Sequence, residues 1–252
     1  MILTKEIPSS WKDLQDKVCK YLNQAGYHAI APKTIVTVRG KVEVDVFVTS
    51  EDELLKQFVC ECKYWDTPVP KEKIHAFRTV VQDSGSMLGI FISKNGFQSG
   101  AIEAASCSNV ILKDWKGFLD LIAVQWLKYR GEQVLKLACP LSVYTDPLDV
   151  PPEIFHKESD KARYSDLQQK YLPLYMTFRS LEMGMQNHDQ PIIIDDVVFD
   201  DYNSLFDHME SNFVCAKKDY EELFSYHKVE QWKLDCTCKT RFMPCFSDYL
   251  SE

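Results

Sequence analysis

No stretch of this sequence approaches 18 uninterrupted apolar residues, and the opening Met1-Ile2-Leu3-Thr4-Lys5-Glu6 lacks the apolar run of a secretory leader. Neither a membrane span nor export is therefore expected, and the reading is a soluble protein of the cytoplasm. Internal repeats and low-complexity tracts are missing too. With 45% hydrophobic content over 252 residues, the chain has enough apolar material for one large domain or for a core domain with a substantial appendage.

Paired C-x2-C knuckles are also missing. The nine cysteines form an odd, scattered set, and Cys19, Cys60 and Cys107 fall in apolar-patterned segments, where reduced core thiols are the simpler reading. One cluster, Cys236, Cys238 and Cys245 with His227 and Cys215 upstream, carries zinc-type donors. Its spacing is C-x-C followed by C-x6-C, and Trp232, Leu234, Cys236 and Cys238 alternate like one face of a strand, so zinc and strand readings both stand.

Net positive charge is absent: the chain carries −8. The deficit is local. Residues 1–130 hold 17 Lys and Arg against 15 Asp and Glu, whereas residues 131–252 hold 12 against 22. The first half is thus free to meet a polyanion, and the acidity belongs to the second.

What is present begins with a helix over about 10–25, where Trp11, Leu14, Val18, Tyr21, Leu22 and Ala25 recur at helical spacing between a Ser9 or Ser10 cap and Gly26. Strands are expected at Thr34–Val38 and Val42–Val48, joined as a hairpin by Arg39-Gly40-Lys41, and a third at Phe58–Trp65, stopped by Pro68 and Pro70. A helix over 71–83, a strand at 87–92, a helix over 98–107, a strand at 110–112 and a helix over 114–130 follow. The order αβββαβαβα, with strands and helices alternating late, implies an α/β/α sandwich on a mixed sheet. Pro140, Pro147, Pro151 and Pro152 mark residues 131–155 as a crossing segment between a domain at 1–130 and a mainly helical, acidic region at 156–252, with long helices over 161–185 and 200–226.

Side chains alternate along a strand, so Glu61 and Lys63 share a face, as do Glu43, Asp45 and Phe47 on the strand before. If the two strands pair antiparallel, Asp45 lies beside Glu61. Two adjacent carboxylates repel, and a cation would relieve the cost. Mg²⁺ or Mn²⁺ suits Asp45, Glu61 and the backbone carbonyl of Cys62 as oxygen ligands, with Lys63 left to hold or deprotonate a water beside a scissile phosphate. The bland alternative is an exposed cross-strand charge pair on a solvated sheet face.

The surroundings resemble the Mrr-like branch of restriction endonucleases, within the PD-(D/E)xK nuclease superfamily, over about residues 10–125. Glu43-Val44-Asp45-Val46 stands for its E-x-D strand, and Val59-Cys60-Glu61-Cys62-Lys63 for its apolar-(E/Q)-x-K strand. Gly89-Ile90-Phe91-Ile92-Ser93 through Phe97 and Ala101 resembles its strand-into-helix segment, and Val110-Ile111-Leu112 its closing strand. The resemblance implies a metal-dependent endonuclease with Asp45, Glu61 and Lys63 as catalytic centre, DNA as substrate and a role in restriction or anti-phage defence. RNA or branched DNA is the rival substrate, and a non-catalytic module binding nucleic acid and a partner protein the rival class. Many Mrr-like proteins carry a glutamate early in the first helix, where this chain offers Lys12 or Gln15 flanked by Asp13 and Asp16. Asp13, Gln15 and Glu43 are therefore additional site candidates. Arg39, Lys41, Lys71, Lys73, Arg78 and Lys94 are candidate phosphate contacts. Ser93 and Asn95 read equally as a phosphate cradle or as loop caps. His75 as a base and Trp65 as a stacking ring are weaker candidates. The acidic, aromatic-rich second half reads equally as a protein-partner or homo-oligomer contact that limits the nuclease and as a plain acidic appendage with its aromatics buried internally.

Overall fold

The computed structural model describes residues 1–185 and 190–225. Cys236, Cys238, Cys245 and His227 lie outside them, and with them the zinc question. The chain divides into two compact units, one formed by Glu6–Trp126 and the other by Met1–Lys5 together with the residues from Leu127 on.

In the first unit α1 (Trp11–Gln24) starts on a reciprocal cap: Ser10 Oγ accepts from the Asp13 amide at 3.1 Å, and Asp13 Oδ2 accepts from the Ser9 amide at 2.7 Å. Leu14, Val18, Tyr21 and Leu22 form its buried stripe. The strands are β1 (His28–Ile30), β2 (Lys33–Thr37), β3 (Gly40–Val44), β4 (Val46–Thr49), β5 (Gln57–Lys63), β6 (Leu88–Ser93) and β7 (Val110–Lys113). Five of them form a mixed sheet in the order β1-β4-β5-β6-β7, antiparallel from β1 to β5 and parallel from β5 to β7. The helices α2 (Lys71–Asp83) and α3 (Ser99–Ser106) cover the face of Val59 and Phe91 with Ile74, Phe77, Val81, Ala101 and Ala105. The other face receives α1 and the start of α4 (Trp115–Ala138), which meet through Tyr21 and Trp115 with ring centroids 5.8 Å apart. This is the expected α/β/α sandwich.

Two local expectations are corrected. The strand read as Val42–Val48 is broken at Asp45: β3 pairs with β2 in a separate two-stranded ribbon, and β4 joins the main sheet. The reason is visible in the burial. Val44 belongs to the core under α2 and Phe47 packs against the same core, although residues an odd number apart point to opposite faces of an unbroken strand. The short β1, which directly follows the Gly26 turn, escaped the pattern because three residues carry too little alternation.

The second unit contains α5 (Leu141–Tyr144), α6 (Glu158–Glu182), the hairpin strands β8 (Ile192–Ile194) and β9 (Val197–Phe199), and α7 (Tyr202–Phe224). The stretch expected to be a crossing segment opens in helix, because α4 continues to Ala138. Tyr164, Leu167, Tyr171, Leu174, Phe178 and Leu181 on α6, and Phe206, Met209, Phe213, Ala216, Tyr220 and Leu223 on α7, are buried at alternating spacings of three and four, the seam of two helices packed side by side. Arg130, nearly buried, ties α4 to α7 by pairing with Asp207 at 2.8 Å and with Glu210. Of the twelve aromatics between Phe155 and Tyr226 that suggested an interface, ten are buried inside this unit, Tyr175 is half-buried and Tyr226 lies outside the described residues. The aromatic surplus is consumed by the unit's own core and gives no argument for a partner.

Candidate active site

The pairing of β4 with β5 sets Val46 opposite Cys60, so Asp45, one step back at the break, falls opposite Glu61. The Asp45 carboxylate accepts the Cys62 amide at 2.7 Å, and the Lys63 ammonium stands 3.9 Å from the same oxygen while pairing with Glu61. Asp45, Glu61, Lys63 and the Cys62 main chain are thus gathered in one place, the carboxylates largely shielded from solvent.

The electrostatics are those of an underpaired anionic site. Burial raises the pKa of Asp45, opposed by the Cys62 N–H and by Lys63 and reinforced by Glu43. Burial likewise raises that of Glu61, with the charge of Asp45 adding to it and Lys63 opposing. One lysine does not fully offset two half-buried carboxylates, which leaves hard oxygen donors suited to a divalent cation. The Cys62 carbonyl accepts the Trp11 indole N–H at 3.1 Å and retains a second lone pair. Among the described residues no group of three or more His, Cys, Asp and Glu side chains gathers as a metal site.

A stability consequence follows from Glu61. Because its carboxyl holds a proton more tightly in the fold than in the open chain, its contribution is most favourable below the unfolded value of about 4.3 and is lost as pH rises through the raised folded value. Glu61→Gln is therefore expected to raise the melting temperature of the metal-free protein at pH 8, with the gain fading towards pH 4. Thermal melts in chelator at both pH values check this; a gain that grows on acidification would contradict it.

The other candidates separate clearly. Gln15, almost fully buried, donates to the Asp45 carbonyl at 3.0 Å and accepts from Lys12 at 3.0 Å, so it positions the break through the main chain. Asp13 is engaged with Ser9 and Lys17, the Lys17 bond chiefly holding its carboxyl below the usual range. Glu43 is exposed on β3 and reaches Asp45 only through its charge. Arg39 pairs with Asp83 at 2.9 Å, Arg78 donates to the Ala104 carbonyl at 3.1 Å, and Lys41, Lys71 and His75 are exposed. Ser93 donates to the Gly96 carbonyl and Asn95 to the Trp65 carbonyl, each at 3.0 Å, which are loop bonds. Lys94 pairs with Asp66 at 2.7 Å above the ring of Tyr64, and Lys73 lies 5.8 Å from the ring centroid of Trp65. Trp11 went unread as a site residue: its indole contributes to the helical apolar period, and nothing in the spacing marks its N–H as a main-chain donor.

An α/β/α sandwich whose antiparallel-to-parallel junction presents Asp, Glu-x-Lys on neighbouring strands has the architecture of the PD-(D/E)xK nucleases. Residues 8–122, just under half of the chain, match the family model Mrr_cat, described as restriction endonuclease. No curated protein matches the chain. Among solved structures it is similar to AF1548, a protein of unknown function, at 11% identity over 86% of this chain and 98% of that one; the TM-score is 0.39, too low for the likeness to bear on function.

Proposed function

We propose that residues 8–122 hydrolyse phosphodiester bonds of DNA with Mg²⁺ or Mn²⁺ held by Asp45, Glu61 and the Cys62 carbonyl. The supporting observation is the placement of Asp45 opposite Glu61 with the Lys63 ammonium beside both. A bound divalent ion would supply Lewis-acid stabilisation of phosphate charge and lower the pKa of a water. Asp45 is fixed for its part by the Cys62 amide and by Gln15 at its own carbonyl. Lys63, held between the carboxylates, orients the attacking water or takes its proton, and its positive charge stabilises the developing charge on phosphorus oxygens. Lys73, Lys94, Arg39 and Lys41 supply sequence-independent, salt-sensitive phosphate attraction. Restriction or anti-phage defence inside the cell is the setting this activity suits.

Incubating the purified chain with plasmid, linear duplex, single-stranded DNA and RNA tests the reading. Cleavage is expected with Mg²⁺ or Mn²⁺ and none with chelator. Degradation of RNA alone would replace the substrate, and no cleavage of any of the four would leave a binding module. The acidic balance of residues 131–252 opposes a polyanion within roughly 8 Å at physiological salt, which suits a regulatory segment or one that meets a basic partner or a second copy.

Metal binding should also register as stability. At a Mg²⁺ or Mn²⁺ concentration of about 100 times Kd, linkage contributes about 2.7 kcal/mol and raises the melting temperature. The increase should shrink in Glu61→Ala. Differential scanning at increasing metal concentration measures both, and equal shifts in the two proteins would place the ion elsewhere. Calcium should shift the melt without supporting turnover, since its looser geometry orients water poorly.

A further inference from the structure

Four of the five tryptophans lie in the described residues, and they fall into two groups. Trp126 is fully buried and Trp115 half-buried, as core indoles should be, but Trp11 is 46% exposed and Trp65 37% exposed. Both exposed rings belong to the catalytic strand's immediate surroundings. The Trp11 indole donates to the carbonyl of Cys62, the residue between Glu61 and Lys63. Trp65 is two residues beyond Lys63, with its carbonyl fixed by Asn95 and the Lys73 ammonium beside its ring. Lys73 also bears electrostatically on Glu61.

Leaving two large aromatic faces in water forfeits burial that a purely structural tryptophan would gain. Here the indole N–H of one and the main chain of the other are pinned, so ordering these residues for a ligand costs little further entropy. Fixed open rings beside ammonium groups form the arrangement on which bases stack while phosphates meet positive charge. A paired duplex offers no free base face within its stack; an unpaired strand offers one at every nucleotide.

We propose that this site takes a nucleic-acid strand whose bases are unpaired, with Trp11 and Trp65 as stacking faces beside Asp45, Glu61 and Lys63 and with Lys73 as the phosphate contact next to Trp65. The inference rests on the nuclease reading and narrows its substrate to single-stranded or locally opened nucleic acid.

The test measures binding by the full chain, with Ca²⁺ replacing Mg²⁺, to a labelled oligothymidylate or oligouridylate of about 12 nucleotides and to a blunt duplex of equal length. A strand is expected to bind at least about tenfold more tightly than the duplex and to quench tryptophan fluorescence of the wild type. Trp11→Ala and Trp65→Ala should each weaken strand binding about 5- to 100-fold, Trp11→Phe and Trp65→Phe much less, and each Ala variant should weaken strand binding several-fold more than duplex binding. Duplex binding as tight as strand binding, or strand affinity and quenching that do not depend on the two rings, overturns the proposal; the latter is also the result if the rings serve a protein contact. The wild-type quenching and the Phe variants decide the matter if an Ala variant fails to fold. Should neither strand nor duplex be bound or cut, the nuclease reading itself fails, whereas a duplex bound and cut without regard to the indoles removes this inference alone.

Discussion

Asp45→Ala, Glu61→Ala and Lys63→Ala are each expected to lower cleavage by at least about 10²-fold while the protein remains folded. Each removes a different function. On the proposed reading Asp45→Ala would delete one oxygen ligand, together with the acceptor of the Cys62 amide. Glu61→Ala would delete the second proposed ligand. Lys63→Ala leaves both carboxylates but removes the cation between them, so water orientation suffers and the carboxylates repel unscreened. None of the three is a core side chain, and melting curves should show cooperative unfolding in every variant. Initial rates on plasmid at saturating Mg²⁺ provide the measurement. Variants that cut at the wild-type rate would show that the gathered charges are a surface pair after all.

Gly89→Ala should have the largest effect on stability. Gly89 is the second residue of β6, and a Cβ there would sit 2.5 Å from Val81 Cγ2 and 2.7 Å from Phe77 Cε1. Both neighbours are buried in α2, and β6 is held by parallel strands on either side, so neither partner can yield without displacing a packed layer. Overpacking of this kind costs about 1–3 kcal/mol or more, and for a protein of this size each kcal/mol lowers Tm by roughly 2–4 °C. Gly100→Ala is the control: its Cβ would meet only the Lys71 side chain at 3.5 Å, in ordinary contact, and within α3 it should stabilise by roughly 0.5–1 kcal/mol. Thermal melts of the two variants should move in opposite directions. A Gly89→Ala protein that melts with the wild type would mean that α2 does not approach the sheet this closely.

The same elements show how far the sequence could be read. The α1 stripe, β5, α2 and the closing αβα order were legible because each is long enough for its period to repeat, and Glu61 and Lys63 could be placed on one face by counting. The break at Asp45 was not legible, since Val42, Val44, Val46 and Val48 alternate without fault and only the tertiary core reveals that Val44 and Phe47 share a face. The role of Gln15 was half-visible: its position was marked, but its target is a carbonyl thirty positions away. In the second unit, aromatic content left an interface and an internally packed appendage equally open, and the structure shows seam. Composition does not report direction; the three-four spacing of Tyr164 through Leu181 did.

The first five residues have their hydrogen-bonding partners at the far end of the second unit: Tyr202 donates to the Ile2 carbonyl at 3.0 Å, Asn203 to the Leu3 carbonyl at 2.9 Å, and Lys5 pairs with Asp200. The first unit is therefore an insertion between Lys5 and Leu127 of a host whose two pieces are separated in the chain. During synthesis that host waits. Its leading segment is made before the residues near 200 that hydrogen-bond to it, while the inserted unit is complete in the chain by Trp126. Folding of the inserted unit can therefore precede completion of the host.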